Sequence, residues 1–475
     1  MDEMNVLVIM TDELRRDILG CYGNKLVQTP NIDALVGKGV KFENAYTPSP
    51  ICVPARASMA TGQYVHEHRC WANAIPYHGQ IESWHHRLRN AGRRCTAIGK
   101  LHFRGTADDN GFTEEIKPLH VKDGKGWVHG LLRERTDLFD ASSFAQNIGP
   151  GEDPYTDYDR AVCRQTLDWL EHRAADKGSA GWGAFVSFLR PHYPLTCPPE
   201  YYSLYCQQLL PPPKEPLSGS GKEHPVLKNL RLSCDYEAAF SKEDKQIAIA
   251  SYYGLCSFVD DMVGKIITKL HDTGLDKNTI VIFSSDHGEC LGDRGFWTKM
   301  VMYEEAACVP LIMAGPDIGT HEEQTPVSLI DLYPTILNVI GLEHLTDEAV
   351  HAKSLFETIN QPDTERPILS EFHDYGAQTG MFMLRHKDWK LIHYPGFEPQ
   401  LFNLKTDAEE EHNLANKSEY AVKLNELMSL LKTISDPDAV NEIAFADQED
   451  MISKLGGSEA ILATQNYDHT PIKEI

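Results

Sequence analysis

The chain has 475 residues, 41% of them hydrophobic and 24% charged, proportions that exclude the disordered and fibrous classes and allow a large buried core. Against 69 acidic side chains stand 45 basic ones, and the net charge of −24 excludes nucleic acid as a partner; an anionic substrate must be held by local cations. The length suits two or three domains with one dominant.

The first apolar run, Asn5 to Met10, is too short for a signal peptide or a membrane span, and no other segment offers an uninterrupted span. The eleven cysteines, odd in number and without paired CxxC spacing, fit free thiols in a reducing compartment. Together these predict a cytoplasmic protein with no membrane partner.

That first run stops at Thr11-Asp12-Glu13. Next comes Cys52-Val53-Pro54-Ala55-Arg56, running on to Thr61-Gly62. Pro54 suits the first turn of a helix and Gly62 its end, which puts Cys52 at the positive pole with Arg56 one turn on. A thiol there is expected to be acidic and anion-facing; the other reading of this segment alone is an inert buried cysteine.

Three further apolar runs each end in ionisable residues: Cys95 to Ile98 before Gly99-Lys100-Leu101-His102, Ala184 to Phe188 before Arg190-Pro191-His192, and Thr279 to Phe283 before Ser284-Ser285-Asp286-His287-Gly288. Short apolar runs alternating with helical patterns predict an α/β fold, a large mainly parallel but mixed sheet sandwiched by helices. Ligands of such sheets bind beyond the carboxyl ends of the strands, so the four clusters are expected to converge on one cleft.

Pro211 to Pro225 reads as an exposed loop or lid. Ser241 and Asp244 form an N-terminal cap for a long helix whose stripe, Leu255 to Leu270, is core and which Gly274 closes. From residue 365 the texture changes to short strands, Met381 to Leu384, Trp389 to Tyr394 and Leu401 to Leu404, which predict a small antiparallel sheet. The expected division is a catalytic domain over 1–364 and a C-terminal α+β subdomain over 365–475. Its acidic stretch past residue 436 is weakly patterned and is expected to wrap a neighbouring subunit of a homo-oligomer or to fray.

Cys-x-Pro-x-Arg followed by Thr-Gly resembles the signature of type I, formylglycine-dependent sulfatases of the alkaline phosphatase superfamily. Asp12, Gly99-Lys100-Leu101-His102, Pro191-His192-Tyr193-Pro194, Ser285-Asp286-His287-Gly288 and Lys299 stand in that family's order, and Phe402 to Asp407 with Asn413-Leu414-Ala415 extend the likeness to the C-terminal part. The resemblance implies hydrolysis of a small alkyl, choline-like or sugar sulfate through a sulfated formylglycine made from Cys52 by a formylglycine-generating enzyme. It implies one divalent cation held by Asp12, Asp286, His287 and residue 52, with Glu13 a further ligand candidate. Arg56, Lys100 and Lys299 are the implied cations, His102 the base that helps sulfate leave, and His192 the acid for the alcohol. The implied substrate is a small anionic or zwitterionic sulfate ester.

Glu13 stands where many family members have a second aspartate, and His287 where many arylsulfatases have asparagine; the imidazole opens Mn2+ or another transition metal beside the first choice, Ca2+. The aspartate-histidine pair resembles both the choline-sulfatase and the phosphonate monoester hydrolase branches. Tyr375 stands before Gly376 where an acidic residue for a quaternary ammonium is expected, though a ring face also contacts cations. Two alternatives follow: a phosphonate monoester or phosphodiester hydrolase using the same formylglycine, and an inactive binding relative. His66, His68 and the pair His85-His86, placed on a helix surface, are assigned structural roles, and the loop Asp108 to Gly126 is expected to shape specificity.

Overall fold

The computed structural model describes residues 4–176, 181–215, 223–346, 351–467 and 469–472. The large sheet has eight strands: β1 (Asn5–Asp12), β2 (Gly39–Phe42), β3 (Cys95–Lys100), β4 (Glu114–Leu119), β5 (Gly183–Pro191), β6 (Thr279–Ser285), β7 (Leu311–Ala314) and β8 (His321–Glu323). Their order across the sheet is β8-β2-β7-β6-β1-β5-β3-β4. The block β6-β1-β5-β3-β4 is parallel throughout, and β7 runs antiparallel to both its neighbours.

β1 is buried along its whole length because helices cover both faces of the sheet. Leu7 and Ile9 face a core shared with α2 (Pro154–Ala175) and α3 (Lys242–Thr273). Val6, Val8 and Met10 face the opposite core, formed with α1 (Cys52–Thr61) and α4 (Leu332–Val339). Burying each such Leu, Ile or Val contributes about 1.5–3 kcal/mol, and the period of two ties β1 to one register.

The 32-residue α3 starts where expected, with Ser241 and Asp244 in a reciprocal cap and Gly274 in the left-handed conformation at its end. A second sheet of β9 (Ile368–Phe372), β10 (Met381–His386), β11 (Trp389–His393) and β12 (Gln400–Asn403) is antiparallel in sequential order. One face, with Met381, Met383 and Ile392, packs toward Val301 and Met302 beside the cleft. On the other face Phe382, Leu384 and Leu391 meet Leu427 and Leu431 of α5 (Ala421–Ile434) and Val440 and Ala444 of α6 (Pro437–Lys454).

Two expectations are corrected. The stretch past residue 436 folds back as α6 and α7 (Ser458–Leu462), and Asn466, Tyr467, His469 and Thr470 reach the cleft of the same chain. His85 and His86 are buried, bonded to Ser83 and to the carbonyls of Asn110 and Asp109, because the loop 108–112 covers them. Of the segment Pro211 to Pro225, residues 216–222 lie outside the described residues; Lys214 before them pairs with Glu305 and Glu409.

Candidate active site

The four strands with ionisable ends are neighbours, β6-β1-β5-β3, so their carboxyl ends form one edge of the cleft. Asp12 ends β1, Lys100 ends β3, His192 follows β5, and Asp286 and His287 follow β6. Close approach of the strands fixes this edge: the N–H of His192 donates to the Asp12 carbonyl at 3.1 Å, and a side chain on Gly99 would collide with the Ser187 carbonyl.

Cys52 opens α1 over this edge, and Gly62, at φ 71°, closes the helix on the Ser58 carbonyl. The N–H of Val53 donates to Asn73 Oδ1 at 3.1 Å. Cys52 Sγ lies 3.7 Å from Asp12 Oδ1 and 3.2 Å from His287 Nε2. Burial first, and Asp12 second, push the Cys52 thiol up to about 12, which overturns the expectation of an acidic thiol. The helix pole loses to desolvation here because the side chain is 1% exposed.

Asp12, Cys52, Asp286 and His287 each offer a ligand atom within 4.8 Å of the others. His287 Nδ1 lies 3.1 Å from the Gly288 carbonyl, which places the proton on Nδ1 and turns the Nε2 lone pair to the cluster. Two carboxylates, an imidazole and residue 52 make the kind of donor set that a divalent cation takes. Glu13 lies outside that set and forms with Asp12 and His192 a second group of possible ligand atoms within 4.8 Å of one another, but there its Oε2 accepts from the Lys299 ammonium at 3.0 Å.

Cations surround these carboxylates. Arg56 donates from Nε to Asp286 Oδ2 at 2.9 Å, and from Nη1 to the Lys100 carbonyl and Ser187 Oγ at 2.9 Å each. Lys100 Nζ pairs with Asp12 Oδ2. Burial works to raise the Asp12 pKa, yet Lys100 and its other cationic neighbours hold it well below the carboxylate range. Lys299 Nζ lies 2.8 Å from His192 Nε2. Burial, aided by Lys299, holds His192 well below the usual imidazole value, and burial, aided by Lys100 and Arg56, does the same for His102.

A pocket opens beside Cys52, lined by Trp127, Tyr155, Tyr193, Tyr236 and Tyr375 among others, and no Asp or Glu is among its described lining residues. Trp127 stands edge-on to Tyr375 with centroids 4.9 Å apart. Val121 and Gly126 bring the predicted specificity loop to this wall. Thr470 Oγ1 lies 3.0 Å from His102 Nε2, the Thr470 carbonyl accepts from Tyr155 Oη at 2.8 Å, and Trp127 Nε1 donates to Asn466. Of the ten candidate site residues named from the sequence, Cys52, Lys100, His102, His192 and Lys299 line this pocket, and Asp12, Glu13, Arg56, Asp286 and His287 lie behind them, in contact with them or with one another. Asn73, Glu289 and the C-terminal residues escaped sequence reasoning; only Glu289, one step past the Ser-Asp-His-Gly element, lay next to a readable signal.

A family model described as Sulfatase matches residues 4–342, and one described as N-sulphoglucosamine sulphohydrolase, C-terminal, matches residues 292–436. The choline-sulfatase of Rhizobium meliloti is 32% identical over 86% of this chain and 82% of its own length. Human arylsulfatase K is 30% identical over 87% of this chain and 79% of its own. In fold, the phosphonate monoester hydrolase of Agrobacterium radiobacter superposes with a TM-score of 0.73 at 22% identity, over 91% of this chain and 95% of that one. With its eight-stranded sheet, its C-terminal antiparallel sheet and matches along most of its length, the chain belongs to the sulfatase family of sulfuric ester hydrolases.

Proposed function

We propose that the chain hydrolyses sulfate esters of small alcohols to the alcohol and inorganic sulfate, with Cys52 oxidised to formylglycine as the nucleophile. The observation that supports this reading is the position of residue 52, set between Asp12 and His287 on one side and a cleft lined by Lys100 and Lys299 on the other, with Arg56 bonded to the Lys100 carbonyl behind it. A thiol whose proton is held to about 12 is a poor nucleophile as it stands, which favours action only after oxidation. Asp12, Asp286 and His287, with residue 52, would hold a divalent cation, calcium or manganese, that lowers the pKa of the attacking hydroxyl and offsets charge on the ester.

The hydrated aldehyde has two hydroxyls. One attacks sulfur as the bond to the alcohol oxygen breaks; the other loses its proton, re-forms the carbonyl and expels sulfate. His102, kept neutral by burial, is in the state of a base for that second proton. His192 and Lys299, within hydrogen-bond distance of each other, share the proton that the departing alkoxide needs. The aromatic pocket without carboxylates suits a compact apolar or quaternary ammonium alcohol, taken by ring faces such as Trp127 and Tyr375, which keeps choline O-sulfate among the candidates.

The test is the ratio of kcat/KM for an aryl sulfate and a matched aryl phosphonate monoester, with protein co-expressed with a formylglycine-generating enzyme and a Cys52→Ala control. A preference for sulfate that the control lacks is the expected result. A preference for the phosphonate moves the assignment to the alternative that the 26% identical phosphonate monoester hydrolase of Silicibacter pomeroyi, TM-score 0.73, represents in fold.

A further inference from the structure

Lys299 sits between two residues of positive φ, Thr298 at 64° and Met300 at 79°. Side chains with a Cβ, and β-branched ones above all, adopt that conformation only when their surroundings impose it. Glu289 is what imposes it: the buried carboxylate accepts the N–H of Thr298 at 2.5 Å and of Leu291 at 2.7 Å through one oxygen. The N–H of Cys290 donates to the Thr298 carbonyl at 2.6 Å, and that of Met300 to the Pro50 carbonyl at 3.1 Å, just before Cys52.

At the other end of the side chain, Nζ donates to Glu13 Oε2 at 3.0 Å and to His192 Nε2 at 2.8 Å. His192 Nδ1 lies 2.6 Å from the Tyr193 carbonyl and carries the proton, so Nε2 is an acceptor. An ammonium has three N–H donors. Glu13 and His192 take two, which leaves the third for an oxygen of the ester. Glu13 is itself fixed: it has φ 66°, its N–H donates to Asp286 Oδ1 at 3.2 Å, and its carbonyl accepts from Tyr252 Oη at 2.6 Å.

We propose that Glu13 and Glu289 are positioning residues for Lys299, Glu13 holding its ammonium and Glu289 its backbone, and that Glu13 serves the lysine rather than the metal. A lysine is a point charge on a flexible stem, and clamping both ends presents it with little loss of freedom on binding. This rests on the reading of Lys299 as a contact of the ester.

The test is a double-mutant cycle on the holoenzyme: wild type, Glu13→Ala, Lys299→Ala and the pair, assayed on 4-nitrophenyl sulfate and on a 4-nitrophenyl phosphonate monoester, with metal content measured on each protein. The expected result is a loss in kcat/KM of about 100-fold for Glu13→Ala when Lys299 is present and under about 3-fold when it is absent. Metal content is expected to equal that of wild type, and Glu13→Gln, which keeps an acceptor, to recover activity to within about tenfold. Glu289→Ala is expected to give the same dependence on Lys299. Metal lost from Glu13→Ala, or equal losses in both backgrounds, overturns the proposal. Activity on the phosphonate alone refutes the sulfatase reading and leaves the cycle readable. Should neither ester react, crystals of Glu13→Gln and Glu13→Ala decide: Nζ displaced from His192 only in the alanine variant supports the clamp, and Nζ unmoved in both refutes it.

Discussion

His68 shows how much the nucleophile helix depends on buried polar side chains outside the reaction. Its Nδ1 accepts the N–H of Cys70 at 3.0 Å, so Nε2 carries the proton and donates it to Ser58 of α1 at 2.7 Å. Burial holds its pKa at about 3, against Glu371, which works to raise it. The folded-state value lies below the unfolded one, so the unfolded chain binds the proton more readily. The His68 contribution is therefore whole above pH 6.5 and is lost as pH falls toward 3, by up to about 1.4 kcal/mol per pH unit. Urea unfolding of wild type and His68→Gln between pH 7 and 4 is expected to show the steeper acid loss in wild type; parallel curves would contradict the assignment. At this scale the sequence was a good guide wherever a residue followed a strand. Asp12, Lys100, His192, Asp286 and His287 are read from the ends of apolar runs, whereas Asn73, with one bond, and Glu289, with two, act through backbone N–H groups that leave no trace in composition or spacing.

Among the elements, the C-terminal segment departs furthest from what its sequence announces. The buried positions of α6, Val440, Ala444, Gln448 and Ile452, do recur every four residues, but Ala and Gln are too weakly apolar to mark a stripe among so many acids. What lies beyond α7 packs by hydrogen bonds, Asn466 to Trp127 and Thr470 to His102 and Tyr155, for which no periodicity exists. Truncation after Thr464 removes this wall of the pocket. It is expected to lower kcat/KM for a small alkyl sulfate about tenfold, in line with a lost hydrogen bond and a wetter cleft. The ratio for a bulky over a small ester is expected to rise, and an unchanged ratio measured across an ester series would show that the tail does not limit the pocket. The strands were legible because each is a short apolar run with a clear stop. Their lateral order was not, since the four that meet at the cleft are separated by long crossovers.

Across the whole molecule, two cores on opposite faces of the large sheet and a third at the small sheet place the cleft where all meet. The carboxylates of Asp12 and Asp286, close together and fully buried, are paired with Lys100 and Arg56, and a divalent cation at the proposed site would add to that compensation. A cation bound by the folded chain alone would stabilise it, so dialysis against a chelator is expected to lower Tm, with recovery on adding calcium or manganese. An unchanged Tm in the presence of metal would speak against the Asp12, Asp286 and His287 set. No helix among the described residues is long and apolar enough to cross a membrane. The burial of Cys52, 1% exposed at the head of α1 and against the edge of the central sheet, gives the proposed formylglycine an order of events. A converting enzyme of the kind proposed would find this thiol closed off in the folded chain. The proposed oxidation is therefore expected on the unfolded chain and not on the folded one, and mass spectrometry of residue 52 after treating each form with a formylglycine-generating enzyme checks this; conversion of the folded form would contradict it.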